Sequence, residues 1–196
     1  MKLFYSLIII VCFFWSCQEN TPVPKPRMYP RVTFPQKEFQ LMDVEECPFQ
    51  MQKPVYAIYQ KDSLKTQEEA SFSCWFDLYV EALNAIYHFS YISFDNRQGF
   101  DKLVADAFEM ADKHNIKASY RDEINISFPE KSVYGLIFEI DGPVASPLQF
   151  YLTDSTHHFL RGSLYFNDVV DRDSIKPVYE FMKSDLNPML ESFEWK

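Results

Sequence analysis

The sequence predicts an α+β domain, a twisted antiparallel sheet packed by two helices. Three observations carry that prediction. Apolar and polar residues alternate in several short runs, the period of a half-buried strand. Two later stretches switch to the 3.6-residue period of a helix. The 19 Phe and 12 Tyr suit a pleated surface, whereas Gly occurs only four times.

Tyr29–Phe34 opens the domain as a strand, with Val32 and Phe34 on one face, and turns at Pro35. Glu38–Met42 is expected to pair with it, and Pro48–Tyr59 reads as one or two short strands interrupted by Pro54. Asp62–Ser73 is polar and reads as a loop. In the next strand Phe76, Leu78 and Val80 alternate with Asp77, Tyr79 and Glu81. Ala85–Phe94 alternates again, Tyr87, Phe89 and Tyr91 on one side and Ile86, His88 and Ile92 on the other.

The period then changes. Phe100, Leu103, Val104, Ala107, Phe108 and Ala111 form one helical stripe, predicting a helix from about Gly99 to His114 that Asn115 terminates. Strands follow at Ile116–Tyr120, Glu123–Phe128, Val133–Ile140, Leu148–Thr153 and Phe159–Phe166, with Asp141-Gly142 as a turn. A last helix runs from about Ile175 to Phe193, capped by Asp173 or Ser174. Val178, Phe181, Met182, Leu186, Met189, Leu190 and Phe193 make its apolar stripe, and Pro188 is expected to kink or split it. Hairpin-linked strands favour an antiparallel sheet, on which both one-faced helices must pack. The order of elements resembles that of the PsbP/Mog1-like sandwich, an analogy of fold alone.

Ahead of the domain stands a targeting segment. Met1–Lys2, an apolar run from Leu7 to Trp15 and Ser16–Cys17 describe an export signal. A cysteine at the cut describes a bacterial lipoprotein, with Cys17 acylated (a palmitate-type anchor) and becoming the mature N-terminus. The alternative is an uncleaved membrane helix, but Leu3–Trp15 is 13 residues long where a span needs about 20. The expected division is a signal peptide at 1–16, a lipidated Cys and Pro-rich tether at 17–28, and one α+β domain at 29–196. Pro22, Pro24 and Pro26 favour extended polyproline geometry, about 3.1 Å per residue, and so a spacer. The expected location is the cell envelope, membrane-anchored and facing the periplasm, with the choice between inner and outer membrane open.

The formal net charge is −9, and −10 without residues 1–16, whose one charged side chain is Lys2. An acidic chain without a basic cluster argues against nucleic acid and against a second, electrostatic grip on anionic lipid. With glycines only at 99, 135, 142 and 162, neither phosphate-cradling motif occurs, so no nucleotide cofactor is expected. Cys47 and Cys74 remain for the mature chain. In an oxidising compartment they are expected to form a disulfide worth roughly 3–4 kcal/mol, with two free buried thiols as the alternative. The spacing and the lack of a nearby His pair disfavour zinc.

His157-His158 is the most conspicuous cluster, but adjacent residues on an extended chain point to opposite faces and rarely share a metal. A relay of Asp154, Ser155 and His157 is disfavoured because triad members normally come from separated segments. Asp154 reads instead as a turn residue capping the following amides. The acidic run Asp168 to Asp173 fits no calcium loop: Asp173 stands where glycine belongs, and from Asp171 the twelfth position is Met182. His88 is a single strand residue, and His114 suits a helix C-terminus. H-E-x-x-H, G-x-S-x-G and C-x-x-C are absent, so no catalytic residue or metal ligand is assigned.

The run Leu152-Thr-Asp-Ser-Thr-His-His-Phe-Leu-Arg-Gly-Ser-Leu-Tyr-Phe-Asn167 resembles the gliding-motility lipoprotein family GldD of the Bacteroidetes. So do Thr21-Pro-Val-Pro-Lys-Pro-Arg27, Cys47-Pro-Phe49, Pro54-Val-Tyr56, Cys74-Trp75, His114–Ala118, Val133-Tyr-Gly-Leu136 and Glu191-Ser-Phe-Glu-Trp-Lys196. The resemblance spans nearly the whole mature chain. It implies an envelope lipoprotein required for gliding and for the linked type IX secretion system, with other envelope proteins of those systems as partners. It implies no catalytic residue.

Two functions follow. The first is a non-enzymatic assembly or interaction module. The second is a periplasmic ligand-binding or hydrolytic domain for a small or glycan substrate, with Trp75, Tyr79 or Tyr87 stacking on sugar rings. A cleft with converging polar groups separates the two.

Overall fold

The computed structural model describes residues 31–61, 74–115, 120–142, 144–166 and 172–196, with the backbone alone at 114, 115 and 172–174. Cys17, the tether, the loop at 62–73, the strand start at 116–119 and the acidic run from Asp168 lie outside those residues, as do the side chains of His114, Asp173 and Ser174.

Seven strands form the main antiparallel sheet: β3 (Ile58–Lys61), β4 (Trp75–Val80), β5 (Ala85–Ser93), β6 (Tyr120–Phe128), β7 (Val133–Asp141), β8 (Leu148–Thr153) and β9 (His158–Phe166). Their order is β3-β4-β5-β9-β8-β7-β6. A second sheet joins β1 (Phe39–Asp43) and β10 (Glu194–Trp195) to either side of β2 (Phe49–Pro54). With helices α1 (Arg97–Asn115) and α2 (Arg172–Glu191), the class is α+β.

Alternation along the strands decides the layers. Leu78, Tyr87, Phe150 and Leu160 face one way, into a core closed by Met182, Leu186 and Phe193 of the α2 segment and by Phe49 and Met51 of the small sheet. The intervening Phe138, Ile140, Tyr151 and Phe159 face the other way, onto Ala107 and Ala111 of α1. Each helix therefore covers its own face. No described helix is long and apolar enough to cross a membrane.

Several expectations change. Described residues 31–38 form no strand; Val32 packs on the main core and the Phe34 ring stacks on Phe181 at 4.7 Å, so this segment straps α2. β1 consequently pairs with β2, Phe39 opposite Pro54. The expected break between Tyr120 and Glu123 does not occur, because β6 runs unbroken along β7. Nor does Pro188 split the last helix. It stands in the last turn, and the helix closes beyond it through its carbonyl, which accepts from Ser192 N at 3.1 Å and Ser192 Oγ at 2.7 Å. Pro177 lies within the same helix. The β10 pairing with Gln50 and Phe49 was not anticipated, since two residues carry no periodicity.

Cys47 and Cys74 are joined, with Cα atoms 5.1 Å apart. The bond links the small-sheet side of the domain to the start of β4. Gly135 permits the close β7–β8 approach: a Cβ there would stand 1.9 Å from the Tyr151 carbonyl oxygen.

Candidate functional site

The β4–β5 connection creates the site. A single 3₁₀ turn, Glu81–Leu83, ends at Asn84 in the left-handed region (φ 47°), which Asn tolerates better than most residues. The tight link pairs Val80 with Ala85, and that register puts Asp77 directly opposite His88. β9 runs along the other side of β5, placing Ser163 opposite His88 and Arg161 opposite Ser90. All of these point to the α1 face.

α1 packs over the β7–β9 side of that face and stops short of β4 and β5. The gap is a cavity of about 500 Å³. Leu103, Asp106 and Met110 of α1 line it from the helix; Trp75 of β4, Ile92 of β5 and Phe159 and Tyr165 of β9 line it from the sheet.

Inside it, His88 Nδ1 donates to Asp77 Oδ1 at 2.5 Å. The Tyr165 ring meets the His88 ring edge-on, with centroids 5.1 Å apart. Arg161 Nη2 donates to the buried Gln149 Oε1 at 2.8 Å, and Nη1 lies against the Met110 sulfur. Among the described residues no carboxylate pairs with Arg161. Burial pulls its guanidinium below the ordinary arginine range, and Tyr165 opposes that. Gln149 Nε2 is buried without a hydrogen-bond partner.

Asp77, His88 and Ser163 occupy adjacent strands in one row, the residue types of a nucleophile triad. Yet Ser163 is 8% exposed, and no hydrogen bond joins it to His88. A nucleophile activated by its base needs that contact. The arrangement as it stands is a cavity lined by the Arg161 cation, the hydrogen-bonded Asp77–His88 pair, the Asp106 carboxylate and aromatic side chains.

The other sequence candidates fall elsewhere. Asp154 caps its turn as expected, its Oδ1 accepting from the amides of Thr156, His157 and His158 at 2.9, 2.9 and 2.8 Å. His157 is exposed, while His158 stacks on Trp195 at 5.1 Å and shares a 2.7 Å hydrogen bond with the Tyr91 hydroxyl. No group of three or more potential ligands that could hold a metal occurs among the described residues.

Of the three aromatics expected to stack on sugars, Trp75 lines the cavity and Tyr79 lies on the same face. Tyr87 does not: it is fully buried on the opposite face, its hydroxyl donating to the Met182 carbonyl. The Asp77–His88 pair went unread in the sequence, although a four-residue hairpin link between the two alternating runs would have set its register. Arg161 had no such signal, because β5–β9 pairing joins distant segments.

A family model described as gliding motility lipoprotein GldD matches residues 19–195. Comparison with curated proteins gave no match. Among solved structures, the solution structure of cyanobacterial PsbP from a Synechocystis species aligns over 85% of this chain and 98% of its own, at 11% identity and a TM-score of 0.43. At that score the likeness carries no argument, and the architecture rests on the strand pairing itself.

Proposed function

The chain belongs to the gliding motility lipoprotein GldD family, and on that premise we propose that it is a cell-envelope lipoprotein, anchored through Cys17, that supports gliding and type IX protein secretion as a non-enzymatic interaction module. The family match carries this reading: it begins two residues after Cys17 and takes in both the tether and the domain. The anchor supplies membrane attachment, Pro22–Pro26 a spacer, and the domain a rigid surface facing the periplasm.

The reading is tested by deleting the gene and restoring it as wild type or as a Cys17→Ser allele, scoring colony spreading and secretion. Deletion should abolish both, and the unlipidated allele should restore neither fully at normal protein level. Full restoration by that allele overturns the role of the anchor. Pull-down from crosslinked envelopes should enrich secretion or motility components; recovery of none overturns the interaction role. The cavity favours a second reading, in which the domain also binds a small or glycan ligand.

A further inference from the structure

We propose that the cavity between α1 and strands β4, β5 and β9 binds an acidic sugar, a hexuronate-type ring whose carboxylate is held by Arg161. This goes beyond the motility reading and stands or falls independently of it.

The half-buried Arg161 guanidinium has no carboxylate partner among the described residues, and it opens into a partly apolar cavity. A cation removed from water is costly until an anion meets it, and the planar guanidinium matches a carboxylate with two parallel hydrogen bonds. The remaining polar groups select the rest of the ligand. An alkyl acid would satisfy Arg161 but strip water from Asp77, His88 and Ser90 without replacing its hydrogen bonds, which is unfavourable. A sugar ring presents hydroxyls that donate to Asp77 and pair with His88, while its C–H face lies on Trp75. A cavity of about 500 Å³ falls within the range of small-ligand sites. Asp106 of α1 and Asp77 of β4 both oppose the bound charge and set the affinity low.

The test uses the full chain in detergent micelles, with D-glucuronate and D-galacturonate against D-glucose, D-galactose and hexanoate, read by calorimetry and saturation-transfer NMR. Each uronate should bind about tenfold or more tightly than its neutral counterpart, and the preference should shrink with added salt. Arg161→Gln should abolish the preference. Should that variant not fold, two others keep the proposal falsifiable: His88→Ala should weaken uronate binding severalfold, and Asp106→Asn should strengthen it by about two- to threefold. Trigalacturonate in parallel separates a free sugar from a glycan chain as the source. Equal binding of uronates and neutral sugars, stronger binding of hexanoate, or no uronate binding at about 10 mM overturns the proposal.

Discussion

Lys37 Nζ lies 2.6 Å from Asp185 Oδ1, joining a residue of the opening strap to the buried side of α2 across 148 positions. Asp185 is fully buried, and the Tyr56 hydroxyl donates to its other oxygen at 2.5 Å. Lys37 also sits over the Phe181 ring at 4.3 Å. The start of the domain is thereby clipped to the last helix. Burial, with the Asp185 hydrogen bond adding to it, pushes the Tyr56 phenol above its ordinary range.

Lys37→Met leaves the Asp185 carboxylate buried with its cation gone. A stability loss of about 2–4 kcal/mol is expected, toward the lower end because Lys37 is itself 35% exposed. Adding Asp185→Leu should recover much of the loss, since no uncompensated charge then remains. Urea unfolding midpoints of the two variants check both statements.

Opening the Cys47–Cys74 bond frees a loop whose ends are 27 positions apart. The chain-entropy relation puts the loss at about 3.5 kcal/mol. Denaturation with and without reductant should differ by that order in wild type, and not at all in a Cys47→Ser, Cys74→Ser double variant.

Burial alone would raise the Asp154 carboxyl, but hydrogen bonds from the Thr156 hydroxyl and from the amides of His157, His158 and Thr156 outweigh it and bring it to about 2. A folded value below the unfolded one means the contribution is complete above the unfolded carboxylate range and is lost as pH falls from about 4 toward 2. Solvent reaches the turn, so the size is of order 1 kcal/mol. Acid unfolding of Asp154→Asn should lack that part of the pH dependence.

Gly135→Ala should cost about 3 kcal/mol or more, because the added Cβ meets the Tyr151 carbonyl, a backbone atom that cannot swing aside. Thermal unfolding measures this. Gly162→Ala meets the Phe150 ring instead, at 2.2 Å, and a companion Phe150→Leu substitution should relieve part of its cost.

Local patterns were legible wherever one face of an element is buried. The β4 and β5 alternations, the α1 stripe and the Asp154 turn all stand where residue spacing put them. The failures share a cause. Val32 and Phe34 alternate as in the expected strand Tyr29–Phe34, but the described part of that segment serves as a strap, with Phe34 stacked on Phe181. Tyr87 and Tyr79 belong to alternating runs of similar composition, yet one is core and the other lies on the cavity face.

The sequence by itself determined the α+β class and the family, and it pointed to the pairing of Cys47 with Cys74. These depend on local periods, short-range turn chemistry and residue order along the chain. The tertiary structure alone decided that the described strands form two sheets, that the helices take opposite faces, and that α1 packs on the β7–β9 side. It also brought Arg161 beside Ser90 and Asp77 against His88. Those relations depend on which distant strands pair and in what register, and a shift of one residue would send each of these side chains to the other face.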